Sequence, residues 1–227
     1  MPLEQKINIL VLGKEGAGKT SLLRRLLYGK YETYTDQTLG ASMLAHHTTV
    51  NGAKINAHIT DMGGAERLRP LASAFYEQTD IFLFVCDIEA HRDYAYLKEI
   101  AQEIGNRPTL LIVTKSDKLV EPEHWMLACK AIVSMTEILH TGEPHFASAK
   151  NDKGEIKALF NGIYENVLLR REEEDLAKQV RPMRTPRFSL STVPALAAMW
   201  VNKLAAEARR EVQTGDTPLA TIGVMRR

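Results

Sequence analysis

The sequence is short of cysteine, aromatic residues and net charge. Two cysteines in 227 residues, Cys86 and Cys129, exclude a disulfide scaffold and point to a reducing compartment. Both fall in apolar or helical patterns and read as buried thiols. Twenty-nine basic residues against 28 acidic ones leave +1, so global charge favours no polyanionic partner. No apolar run approaches the roughly 18–20 residues of a membrane span. The longest, Val193 to Val201, is short and opens on Val-Pro. The N-terminus lacks the charged-then-apolar pattern of a leader. Seven histidines show no metal-ligand spacing, and neither His-Glu-x-x-His nor Cys-x-x-Cys occurs. What remains, 44% hydrophobic and 25% charged, is an ordinary globular composition with room for one domain and an appendage.

Along residues 1–180, short apolar runs alternate with helical patterns. Ile7 to Leu12, Ile81 to Cys86 and Thr109 to Val113 read as strands buried on both faces. Asn51-Gly52 separates His46–Val50 from Ala53–Thr60, a strong hairpin signal. His145 to Ala147 reads as a last short strand. Helices are expected over Ser21–Tyr28, Asp93–Ile104, Pro122–Leu139 and Ile156–Lys178. Strands alternating with helices imply right-handed crossovers. The expected fold is α/β, a mostly parallel six-stranded sheet with one antiparallel edge strand and helices on both faces. Residues 181–227 form a second region. Arg181-Pro-Met-Arg-Thr-Pro-Arg reads as an extended linker. From Arg181 onward eight basic residues stand against three acidic ones, an excess of +5, while the remainder carries −4. Residues 194–212 read as an amphipathic helix with Leu196, Trp200, Leu204 and Ala208 on one face.

Gly13-Lys-Glu-Gly-Ala-Gly-Lys-Thr20 fits G-x-x-x-x-G-K-[ST] between a strand and a helix. Glycines let successive backbone N–H groups turn inward around an anion, and the helix aims its positive end at it. Lys19 is placed to reach terminal phosphates. Thr20 offers a hydroxyl to Mg²⁺, which prefers oxygen. The base is read further on. Thr114-Lys115-Ser116-Asp117 ends a strand, on the edge where parallel sheets bind ligands. A carboxylate there accepts hydrogen bonds from guanine N1–H and its exocyclic amine. Adenine lacks that pattern, and such pairings discriminate by roughly 10⁴–10⁵. Ser148-Ala149-Lys150 follows the last strand, with the Ala149 amide set to meet guanine O6.

Together these motifs resemble the small GTPases of the Ras superfamily over about residues 5 to 170, with the Rab branch nearest. The resemblance implies a three-layer P-loop G domain. Tyr34-Thr-Asp-Gln-Thr38-Leu-Gly-Ala resembles the Rab first switch, and Leu71-Ala-Ser-Ala-Phe-Tyr76 the Rab continuation. Asp61-Met-Gly-Gly64-Ala-Glu-Arg67 resembles a second switch, in a form also similar to the Arf branch. The nucleotide would then contact Glu15, Gly16, Ala17, Gly18, Lys19, Thr20 and Ser21 of the loop. Tyr31 would pack on guanine, with Thr114, Lys115, Asp117, Ser148, Ala149 and Lys150 around the base. Thr20, Thr38 and Asp61 would hold Mg²⁺, Asp61 through water. The Gly64 amide would sense the γ-phosphate, so that GTP orders both switches and hydrolysis to GDP releases them.

Departures from the family shape the expected rate. Ala65 stands where a glutamine usually orients the attacking water, and Glu15 stands where many relatives have glycine. Both predict slow hydrolysis, on the order of 10⁻⁴ per second or below, with Lys19, Thr38 and Gly64 left to do the work. Thr114 replaces the usual asparagine. Met43 and Thr60 occupy two positions of the aromatic cluster that Rab proteins present to effectors, with Tyr76 retained. Effector, exchange-factor and activator proteins are expected on residues 31–45 and 61–79. No recognised lipidation motif occurs: Pro2 replaces the glycine that myristoylation needs, and the C-terminus reads Gly223-Val-Met-Arg-Arg227. A cytoplasmic monomer is expected, with residues 194–212 as a candidate peripheral membrane contact and no nucleic-acid partner. Two other readings compete. One is a guanine-nucleotide-dependent binding module locked in one state. The other is a small-molecule P-loop kinase, against which Asp117 and Ser148-Ala149-Lys150 count.

Overall fold

The computed structural model describes residues 4–64, 68–89, 94–118 and 122–179. Strand β1 is Gln5–Leu12, and helix α1, Lys19–Tyr28, follows the glycine loop. Gly18 opens α1 and Gly29 closes it, both left-handed, with the Gly29 amide bonded to the Arg25 carbonyl. Strands β2, Ala41–Val50, and β3, Ala53–Met62, form the hairpin that Asn51-Gly52 predicted. Both turn residues have positive φ, 49° and 82°, as a two-residue hairpin turn of the right twist requires. Strand β2 begins five residues earlier than its sequence signal. A short helix α2, Arg69–Ser73, has proline at its start, and a single 3₁₀ turn spans Tyr76–Gln78. Then come β4, Ile81–Asp87; α3, Tyr94–Ile104; β5, Thr109–Thr114; and a 3₁₀ turn at Ser116–Lys118. Helix α4 is Pro122–Leu139, β6 is His145–Phe146, and α5 is Glu155–Gln179.

The strands form one six-stranded sheet in the order β2-β3-β1-β4-β5-β6. Only β2 and β3 are antiparallel; every other pair is parallel. The alternation of side chains along a strand builds two cores. Ile7, Ile9 and Val11 of β1 join Leu22 and Leu23 of α1 and Phe160, Ile163 and Tyr164 of α5. Leu10 and Leu12 face the other way, with Phe82, Phe84, Ile100, Ile104, Ile132 and Met135. The three-layer α/β/α expectation therefore holds. Among the described residues, no helix is long and apolar enough to cross a membrane.

Burial corrects two sequence expectations. Cys86 is buried, but Cys129 is only half-buried, because its place on α4 lies to the side of the apolar stripe. Tyr76 does not face effectors. It is 6% exposed, stacks edge-on against Phe82 and donates its hydroxyl to Glu103. Thr60 is buried as well, which leaves only Met43 of that trio open to solvent. The expected linker and helix beyond residue 180 lie outside the described residues.

Candidate functional site

The C-terminal ends of β1, β3, β4 and β5 and the loop after β6 meet at one edge of the sheet, as in other open parallel sheets. A cleft of about 490 Å³ lies there. At one end is the glycine loop. Gly13 has a φ of 144°, and a Cβ on it would fall 2.0 Å from the Val85 carbonyl oxygen, so the loop lies directly on β4. Lys19 is 6% exposed and donates to the carbonyls of Gly13 and Lys14, each at 2.8 Å. Burial lowers its ammonium pKa to about 8, against the opposing pull of the Asp61 and Glu15 carboxylates. Lys19 is still cationic at neutral pH. Glu15 itself is exposed and lines the cleft.

Three oxygen-bearing side chains from three separate segments converge beside Lys19. Thr20 donates to Asp61 Oδ2 at 2.6 Å. Its oxygen lies 3.1 Å from that of Thr38. Because the Thr20 proton is committed to the carboxylate, Thr38 is the donor of that pair. Asp61 is 1% exposed, and its Oδ1 has no hydrogen-bond partner. Desolvation pushes its carboxyl pKa up, while the Thr20 hydroxyl and the charges of Lys19 and Arg24 pull it down. An orphaned buried carboxylate oxygen beside two hydroxyls is a donor set that suits a hard divalent cation.

The double glycine after Asp61 has a steric cause that the sequence did not disclose. A Cβ on Gly63 would fall 2.4 Å from the Thr38 carbonyl oxygen, and one on Gly64 would fall 2.2 Å from the Glu15 amide nitrogen. The Gly63 amide also bonds the Gly40 carbonyl at 2.7 Å. The second-switch segment thus lies backbone to backbone on both the first switch and the glycine loop. Ala65, Glu66 and Arg67 lie outside the described residues.

The other end of the cleft carries the base-reading candidates. Ser148 donates to Asp117 Oδ1 at 2.6 Å and accepts the Asn151 amide. Lys115 has a φ of 58° and forms an ion pair with Asp87. Thr114 lies beneath the middle of the cleft. Its hydroxyl is 2.5 Å from the Ala17 carbonyl and 3.0 Å from that of Cys86, so it fastens the glycine loop to β4. Gly16, Ser21, Tyr31, Ala149 and Lys150 line the cleft. Ala17, Asp61 and Ser148 are buried behind its wall. The sequence reading assigned no nucleotide-binding role to Thr33, Thr35, Asp36 and Gln37, which also line the wall, or to Lys118, paired with Glu89 at 3.3 Å. Their place in the chain, between Tyr31 and Thr38, was the available signal for the first four.

The family model described as "Ras of Complex, Roc, domain of DAPkinase" matches residues 8–117. Among curated proteins, the chain is 24% identical over 180 residues to a Ypt/Rab-type GTPase, ypt7, of Pyricularia oryzae, with 75% of this chain and 86% of that protein covered. It is 27% identical over 180 residues to the GTP-binding protein yptV5 of Volvox carteri, with the same coverage. It is 29% identical over 168 residues to the Ras-related protein Rab-21 of Geodia cydonium, covering 72% of this chain and 71% of that one.

Proposed function

We propose that this chain, a small GTPase of the Ras superfamily near the Rab branch and so a GTP-binding switch, hydrolyses GTP slowly and acts in trafficking-type signalling. The observation that carries the site reading is the meeting of Thr20, Thr38 and Asp61 within hydrogen-bond distance, with Asp61 Oδ1 unpartnered. At the far end of the same cleft, Asp117 and Ser148 are held together. One end suits phosphates and Mg²⁺, the other suits guanine.

In this reading Mg²⁺, held by Thr20, Thr38 and Asp61, supplies positive charge against the phosphates. Lys19 faces the β- and γ-phosphate oxygens and stabilises charge developing on them. The Gly64 amide, fixed against Glu15, donates to the γ-phosphate only when that group is present. Asp117 accepts from guanine N1–H and the exocyclic amine, and the Ala149 amide donates to O6. Water attacks the γ-phosphorus in line with the departing β–γ bridging oxygen, giving GDP and phosphate. Ala65 has no polar side-chain atom to orient that water, which is the basis for expecting a low intrinsic rate. Exchange, activator and effector proteins are proposed on residues 31–45 and 61–79, and residues 194–212 are a proposed peripheral membrane contact.

Single-turnover hydrolysis by the wild type and by Ala65→Gln tests the rate. The variant is expected to be faster by about tenfold or more. An unaccelerated variant would show that Ala65 does not limit turnover. Native Ala65 and Glu15 also favour a second reading, a GTP-locked binding module. Denaturing untreated protein and identifying the released nucleotide separates the two. Retained GTP that a chase never converts supports the locked module, whereas GDP formed from chased GTP supports the slow enzyme.

A further inference from the structure

Arg25 sits in the last turn of α1, away from the cleft, and is half-buried with a side-chain exposure of 22%. Each of its three guanidinium nitrogens makes a hydrogen bond. Nη1 donates to the Gly29 carbonyl at 2.7 Å, which closes its own helix. Nη2 donates to the Asp152 carbonyl at 2.9 Å, and Nε lies 3.3 Å from Asp152 Oδ2. Asp152, 11% exposed, spends its other carboxylate oxygen on the Ile156 amide, which caps the start of α5 at 2.9 Å. A planar fork engaging two acceptors on one residue fixes direction as well as distance.

These contacts lie 127 residues apart in sequence. The loop between β6 and α5 is thereby held at two points. Ser148 ties its beginning to Asp117, and Asp152 ties its end to α1. Ala149 and Lys150, the residues placed at guanine O6, lie between the two anchors. Helix α1 is the same helix whose start carries Lys19 and Thr20. One rigid element therefore joins the phosphate end of the cleft to the loop at its base end.

We propose that Arg25 is a positioning residue for guanine recognition: through Asp152 it holds the Ala149 amide at the O6 position. This rests on the guanine-nucleotide reading above. It places reading of O6 under Arg25, while N1–H and the exocyclic amine are read by Asp117, which Ser148 holds at the loop's other anchor. Apparent affinity falls with the fraction of time the loop occupies its binding position.

The test uses full-length protein and three nucleotides: GDP, 6-thio-GDP, in which sulfur replaces the O6 acceptor, and IDP, which lacks the exocyclic amine. Arg25→Met keeps the apolar stem and removes the fork. Asp152→Asn keeps an acceptor for Ile156 and removes the charge. Release of GDP from Arg25→Met is expected to be about tenfold faster. The preference for GDP over 6-thio-GDP is expected to shrink severalfold, with the preference for GDP over IDP unchanged. Asp152→Asn is expected to shift the same ratio in the same direction, less strongly. It keeps the test available should Arg25→Met fail to fold. Both preferences falling together would overturn the proposal, because that is general loosening. An unchanged 6-thio-GDP preference in the variants would overturn it as well. Wild-type protein without affinity for GDP would instead overturn the guanine-nucleotide reading, and this proposal with it.

Discussion

Gly13 and Gly29 both have positive φ, yet they are needed for different reasons. A Cβ on Gly13 would meet a backbone oxygen of β4, which has no room to give. A Cβ on Gly29 would meet nothing within 4 Å, so only the left-handed backbone constrains that position. Gly13→Ala is expected to cost about 2–4 kcal/mol, because overpacking against backbone adds to conformational strain. Gly29→Asn is expected to cost less than about 1 kcal/mol, since asparagine tolerates that region. Urea unfolding of both variants measures the difference; similar costs would contradict the steric account. Such residues were legible at Gly13, Gly18, Lys19 and Thr20, where a local motif and its chemistry coincide. They were not legible at Gly63, whose neighbours Thr38 and Gly40 come from more than twenty residues away. Arg25 likewise looks like any basic residue in a helix until Asp152 is beside it.

At the scale of elements, the hairpin is docked to the last helix by a polar contact. His46 Nδ1 lies 2.7 Å from the Tyr164 hydroxyl, and the rings sit 5.7 Å apart. Burial lowers the His46 pKa from its ordinary value, and the charges of Lys157 and His47 add to the effect. The folded chain therefore binds fewer protons at this site than the unfolded chain does. The resulting stability is present above the ordinary histidine range. It is lost as pH falls through that range towards the lowered native value. Wild-type protein is expected to lose more stability than His46→Gln between pH 7.5 and 5.5, as measured by denaturant midpoints. Equal pH dependence would show that other groups govern it. The elements themselves were mostly readable, because β4 and β5 are continuous apolar runs and Asn51-Gly52 is an unambiguous turn. The exceptions are the short helix α2, which was not expected, and the start of β2. Residues 41–45, Ala-Ser-Met-Leu-Ala, contain no β-branched side chain, and they become strand by pairing with His58, Ile59, Thr60, Asp61 and Met62.

For the whole molecule, the two ends of the cleft are predicted to act through one bound nucleotide. GDP at about 100 times its Kd is expected to raise unfolding free energy by about 2.7 kcal/mol. Chelation of Mg²⁺ is expected to accelerate GDP release, because Thr20 and Asp61 then hold no cation against the phosphates. Thermal melts and fluorescent-GDP dissociation read these effects, and a melt insensitive to GDP would contradict the site. Fold class and the single antiparallel edge strand were foreseeable from the alternation of runs and the Asn51-Gly52 turn, whereas the strand order and the ties between distant loops arise only once the sheet is assembled. The sheet order also has a consequence for synthesis. Strand β1 is the first strand made, yet it lies between β3 and β4, and the core on one of its faces is completed by Phe160, Ile163 and Tyr164 of α5. A nascent chain must therefore carry Ile7, Ile9 and Val11 incompletely covered until α5 has left the ribosome. The burden on chaperones falls on the earliest residues translated and lifts only once α5 has emerged.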